Sequence, residues 1–123
     1  MNADTRRELP AVDWTWKARC CRVVDGDTID VVIDSGFHAT RIERLRLLGV
    51  NCPEMKGQAG RPAKEYTANW IQDAWDDSAW PLVVQTEKSD AFGRYLAVVW
   101  RLNDGRCLND DLLKTGNAEV FPS

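Results

Sequence analysis

Histidine is nearly absent from this 123-residue chain: His38 is the single one. The four cysteines, Cys20, Cys21, Cys52 and Cys107, contain no Cys-x-x-Cys pair. Together these shortages argue against a structural zinc site, which draws on clustered Cys and His ligands. Cationic excess is missing too. The formal net charge is −3 and the sequence pI about 5.1, so there is no bulk basic footprint of the kind a general nucleic-acid coat protein carries, and any anion site must come from local placement. No apolar run approaches the length of a membrane span or a signal-peptide core, so a soluble chain is expected, with secreted and intracellular settings both open. Low-complexity tracts and internal repeats are also lacking, and the length suits one domain with one core.

What is present is a set of short β signals. Residues 1–12 are polar around Leu9-Pro10 and are expected to form a mobile N-terminal arm, with a single domain over 13–123. Trp14 and Trp16 alternate with polar neighbours into a first strand that runs to Val24. Asp25-Gly26-Asp27-Thr28 is a hairpin turn. In the second strand Ile29, Val31 and Ile33 share one face, leaving Asp30 and Asp34 on the other. Ser35-Gly36 turns again, and His38 to Val50 reads as a long third strand. Beyond Glu54 the period changes from two to helical. Gly57 to Gly60 is expected to link to a helix with Pro62 in its first turn and a stripe of Ala63, Tyr66, Trp70 and Ala74 ending near Asp76. Leu82–Thr86 and Tyr95–Leu102 are the fourth and fifth strands. Asn109 is expected to cap a short helix that Gly116 stops, and the tail around Ala118 to Phe121 to return to the barrel.

Five short strands with one helix between the third and fourth give the element order of an OB-type barrel, an α+β fold with a short C-terminal helix. Closure removes the exposed edges that one helix cannot cover. Adjacent cysteines such as Cys20 and Cys21 point to opposite faces of a strand. The even cysteine count leaves one or two disulfides open, and with them the redox compartment.

The chemistry collects at three places. Arg46-Leu47-Leu48-Gly49-Val50-Asn51-Cys52-Pro53-Glu54 runs from a buried strand into a proline-fixed turn from which Arg46, Asn51 and Glu54 emerge. Asp27 follows the turn glycine and offers carboxylate oxygen, which suits a hard cation. Arg94 follows Asp90-Ala91-Phe92-Gly93 at the start of the fifth strand. The cationic side chains cluster locally, with Arg41, Arg44 and Arg46 on one strand and Arg94, Arg101 and Arg106 on another hairpin. Two guanidiniums can bind phosphate oxygens bidentately, a metal ion lowers the pKa of bound water, and a carboxylate can take a proton from it.

Asp-Gly-Asp-Thr, Arg-Leu-Leu-Gly-Val-Asn-Cys-Pro-Glu and Asp-Ala-Phe-Gly-Arg, in that order on this pattern, resemble the staphylococcal-nuclease-like (thermonuclease) family from about Val23 to Val120. The resemblance implies a five-stranded OB barrel acting as a Ca²⁺-dependent nuclease on DNA or RNA, leaving 3′-phosphates. It implies a metal site at Asp27, Asn51 and the backbone carbonyl of Cys52, with Thr28 in the same shell. It implies phosphate-binding arginines at Arg46 and Arg94, and Glu54 as the residue that positions or deprotonates the attacking water. Phe92 stands where many members place a phosphate-contacting tyrosine, and Asn51 where the family usually has an aspartate. With one carboxylate removed, Ca²⁺ binding of ~10⁻⁴ to 10⁻³ M is expected, or binding completed by substrate. The expected assembly is a monomer. A second function from another class is open: an inactive barrel that binds nucleic acid or a protein partner.

Overall fold

The computed structural model describes residues 14–54, 60–75, 77–88 and 94–121, with the side chains of Lys88 and Arg94 outside the description. The expected arm, the Gly57–Ala59 link and Phe92 lie outside the described residues. The strands are β1 (Thr15–Asp25), β2 (Thr28–Gly36), β3 (Ala39–Leu47), β4 (Val50–Asn51), β5 (Leu82–Lys88), β6 (Arg94–Arg101) and β7 (Glu119–Val120). The helices are α1 (Gly60–Asp73) and α2 (Leu108–Lys114).

Alternation builds the barrel wall. Ile29, Val31 and Ile33 are buried on β2 while Asp30 and Asp34 are only half-buried, and Leu45 and Leu47 continue the inner face on β3. Leu82, Val84, Ala97 and Val99 close it from β5 and β6. The strands pair in the order β1-β2-β3-β6-β5, with β1 returning to β5, so the five form a closed barrel of OB type. The β3–β6 pairing is parallel and sets Arg44 against Arg94 and Leu45 against Tyr95. Helix α1 sits between β4 and β5 in the chain and packs chiefly against β1, with Ala63, Thr67 and Trp70 buried.

The structure departs from the sequence expectations at two points. The third strand does not run to Val50. It stops at Leu47, and Gly49, at φ +77°, turns the chain so that Val50–Asn51 pair with Glu119–Val120 in a separate two-stranded ladder. A left-handed residue cannot continue a strand, and glycine takes that conformation without a Cβ penalty. The tail therefore joins β4 rather than the barrel.

Asn109 does not cap α2. Cys107 stands at the N-cap with extended backbone and no side-chain cap, and Asn109 lies inside the first turn. Its side chain instead donates to Leu48 O at 2.9 Å and Ala97 O at 3.0 Å and accepts from Val99 N at 3.1 Å. One buried amide thus ties α2 to β6 and to the end of β3. A buried amide with all its partners met rigidifies the elements it joins.

The hairpin turn expected at Asp25–Thr28 is present, and its Gly26 is needed for space. A Cβ there would fall 2.9 Å from Ala63 Cβ and 2.9 Å from Cys52 Sγ. The Asp-Gly-Asp turn is pressed between helix α1 and the Cys52 turn, and Thr67 Oγ1 donates to Gly26 O from the same helix. All four cysteines are free thiols.

Candidate active site

The Asp25–Thr28 hairpin and the Leu47–Glu54 turn meet at one corner of the barrel. Leu47 N donates to Asp27 O at 2.8 Å, which continues the β2–β3 ladder past Thr28 and brings the two turns together. Asp27 is 7% exposed, and a carboxylate so deep must be partnered or neutralised. Its Oδ2 accepts from Cys52 N at 2.8 Å, its Oδ1 from Thr28 Oγ1 at 3.0 Å, and Arg46 Nη1 lies 3.3 Å from Oδ2.

Arg46 faces Thr28 across the ladder and reaches over the bend at Gly49. Nη1 donates to Val50 O at 2.8 Å and to Leu47 O at 3.2 Å, and Nη2 donates to Asn51 Oδ1 at 3.1 Å. The Phe121 ring lies 5.6 Å from the guanidinium carbon, so the C-terminal ladder contributes an aromatic face to the corner. Asp27, Arg46, Asn51 and Cys52, singled out from the sequence, are therefore brought together. Glu54 is exposed two residues beyond Cys52 on the same turn, behind exposed Pro53. Arg94 opens β6 beside Arg44, and its side chain is outside the description. Phe92 lies outside the described residues altogether.

The arginine cluster of β3 is largely neutralised by its neighbours. Arg44 makes a bidentate pair with Asp30 at 2.8 and 3.1 Å, which holds the Asp30 carboxyl below the usual carboxylate range. Arg41 stands 3.6 Å from Glu43. On the far hairpin, Arg101 pairs with Asp104 and donates to Trp70 O, while Arg106 pairs with buried Asp111. These cations hold the fold. Of the described arginines on β3, only Arg46 belongs to the corner that contains Asp27.

Whether the corner suits a hard cation can be judged from its donors. Asp27 carboxylate, Asn51 amide oxygen and the Cys52 carbonyl are all oxygen donors, the kind Ca²⁺ accepts, and they stand on two adjoining turns. Among the described residues no group of three or more His, Cys, Asp and Glu side chains converges. The site is thus poor in charge, with one carboxylate, and Arg46 already bridges Asp27 and Asn51. The donor set fits a hard ion in kind, and it fits one that binds weakly and draws the rest of its coordination from water or substrate.

Sequence reasoning missed three supports of the corner. Thr67 carried no signal beyond one more residue on the helix, yet its hydroxyl anchors the Asp-Gly-Asp turn. Asn109 looked like a cap and is a clamp. Phe121 lies in the tail, and only the β4–β7 ladder and the bond from Phe121 N to Gly49 O bring it to Arg46.

A closed five-stranded barrel with a helix after its third strand defines an OB-type domain, here with a buried aspartate and an arginine meeting at a proline-stopped turn. The family profile described as "Staphylococcal nuclease homologue" matches residues 44–122, and the chain belongs to that family. It is 34% identical over 106 residues to the thermonuclease of Staphylococcus intermedius, covering 82% of this chain and 58% of that protein. It is 30% identical over 79 residues to Protein ParB of Escherichia coli, covering 64% of this chain and 38% of that protein. An uncharacterized endonuclease of Escherichia coli is 26% identical over 125 residues, covering 94% of this chain and 74% of that protein. The chain spans about half the length of the first two of these relatives.

Proposed function

We propose that the chain is a Ca²⁺-assisted nuclease that hydrolyses phosphodiester bonds of DNA or RNA internally. The observation that carries this reading is the corner itself: a guanidinium that bridges a buried carboxylate and an amide oxygen, with an exposed glutamate on the same turn. Family membership and the names of the thermonuclease and endonuclease relatives support it.

In this reading Arg46 and Arg94 hold the phosphate. A planar guanidinium offers paired donors to two phosphate oxygens, and such donors accelerate the step when they meet the growing negative charge better than the ground state. Glu54, free of protein partners among the described residues, orients the attacking water and accepts its proton. Asp27, Asn51 and the Cys52 carbonyl hold the cation, which when bound supplies positive charge and acidifies coordinated water. Arg46 must turn from Val50 O and Asn51 to meet phosphate, so substrate binding and release of these internal bonds are coupled.

That coupling also favours a second reading, an inactive barrel that binds nucleic acid or protein, because Arg46 is held by internal partners: Asp27, Leu47 O, Val50 O and Asn51. Incubating plasmid DNA and RNA with the protein and Ca²⁺, then with chelator, alongside Arg94→Ala, separates the two. The nuclease cuts in Ca²⁺, stops in chelator and is crippled by Arg94→Ala. Absence of cutting with any divalent ion, or equal cutting by both proteins, overturns the proposal.

A further inference from the structure

At the other end of the barrel a cavity of about 560 Å³ opens between all five strands, a volume within the usual range for small-molecule sites. Its walls come from the start of β1, the end of β2, the start of β3, the end of β5 and the start of β6. Trp14 and Trp16 stack with ring centroids 6.4 Å apart and planes inclined by 24°. Trp16 is fixed by its indole N–H donating to Thr86 Oγ1 at 3.1 Å, whereas Trp14 is 61% exposed. Tyr95, next to Arg94, adds a third aromatic wall.

The polar lining selects the occupant. Ser35 Oγ is buried with no hydrogen-bond partner among the described residues, which leaves a donor and acceptor to be met from the cavity. Glu43 and Glu87 outnumber Arg41 at the wall, so the lining repels a phosphate and favours an uncharged flat group rich in N–H donors. A nucleobase has this chemistry: it stacks on indole and offers amino and imino N–H groups to carboxylates. Guanine offers two such groups side by side, a match for a carboxylate.

We infer that the barrel mouth is a base-binding subsite, with guanine its preferred occupant, for a nucleotide remote from the bond that is cut. This rests on the nuclease reading for its place in the reaction, not for the binding itself. From Asp27 to Ser35 the chain covers eight residues, roughly 26 Å along the strand, so a base held at Ser35 is not that of the scissile nucleotide. Leu45 lines the mouth and Arg46 follows it on β3, while Tyr95 lines it and Arg94 precedes it on β6. The lining thus runs from Leu45, opposite Ile29, out to Ser35, and a nucleic-acid strand leaving either arginine can be followed along it.

The test uses nucleosides, which carry no phosphate. Guanosine titrated into the full chain shifts the Trp16 indole N–H resonance saturably, more tightly than uridine. Trp14→Ala, at an exposed position that leaves the core untouched, weakens guanosine on the order of tenfold or more. Ser35→Ala and Glu43→Gln each weaken guanosine relative to uridine. Absence of saturation with any nucleoside, wild-type affinity in Trp14→Ala, or loss of binding on self-association as a second copy fills the mouth would each overturn the subsite. Wild-type cutting of a dinucleotide with a raised KM for long oligonucleotides in Trp14→Ala supports it. Guanosine binding without cutting by the wild type would leave the subsite standing and remove the nuclease.

Discussion

Arg46 Nη1 lies 3.3 Å from Asp27 Oδ2 with both side chains largely buried, 14% and 9% exposed, and this pair joins the two turns from which the candidate site is made. The guanidinium is at once a lock on the bend at Gly49 and the cation paired with the buried Asp27 carboxylate. Removing half of a buried pair leaves the other charge uncompensated, a larger cost than the pair's net worth. Arg46→Ala should therefore destabilise the fold by about 3 kcal/mol. Arg46→Lys should recover part of that, since an ammonium keeps the charge but cannot span Val50 O, Asn51 and Asp27 together. Urea unfolding of the three proteins measures both; equal midpoints would show the pair to be incidental.

In the proposed metal site Asn51 supplies an amide oxygen where a carboxylate would add charge. Asn51→Asp should tighten Ca²⁺ on the order of tenfold, because affinity for hard ions follows the number of charged ligands. Calorimetric titration decides it. Unchanged or weaker binding would place residue 51 outside the ion's reach.

Gly26 is closed in by helix α1 and by Cys52. Gly26→Ala should destabilise the protein by about 1–3 kcal/mol through overpacking. Cys52→Ala in the same chain should return part of the loss, since it removes the sulfur that stood 2.9 Å from the new methyl. Thermal melts of the single and double variants test this. Additive losses would show that the contact with Cys52 is relieved elsewhere.

Asp111 titrates in a way that ties pH to stability. Hydrogen bonds from Arg106, and then from Trp70, hold its carboxyl below the usual range against the opposing effect of burial. A depressed folded-state value contributes stability above the unfolded pKa of about 3.9 that is lost as pH falls through the folded one. The Tm gap between wild type and Asp111→Asn should be widest near neutrality and shrink below about pH 4. A gap independent of pH would contradict the assignment.

The thiols should separate by burial. Desolvation pushes Cys52 up to about 12 and Cys20 up to about 11, while Cys21 is exposed on the other face of β1. With a disulfide reagent at about pH 8, Cys21 should react first and Cys52 only on unfolding. Modification of Cys52 in the folded protein would mean that the Asp27 turn opens.

Much of this fold is legible in the sequence because strand alternation and helical spacing are local signals. Ile29, Val31 and Ile33 announce their face, and Ala63, Trp70 and Ala74 theirs. The candidate corner is legible in part, since Asp27, Arg46, Asn51 and Glu54 stand beside glycine and proline signals that fix turns. What the sequence does not disclose is long-range. The Asn109 clamp, Phe121 under Arg46 and Thr67 on Gly26 each depend on contacts between segments far apart in the chain, and no local period marks them. The break of β3 at Gly49 was written in the residue type, but only pairing with β7 decides that the chain turns there.

The central claim is that Glu54 serves water attack at the corner of Asp27 and Arg46. The most direct measurement compares single-turnover cleavage of one labelled oligonucleotide by wild type and Glu54→Gln, with binding measured separately. Loss of a positioned base should slow cleavage by about 10²- to 10⁴-fold with affinity unchanged, since the exposed side chain carries no fold contact among the described residues. Equal rates in the two proteins would contradict the account.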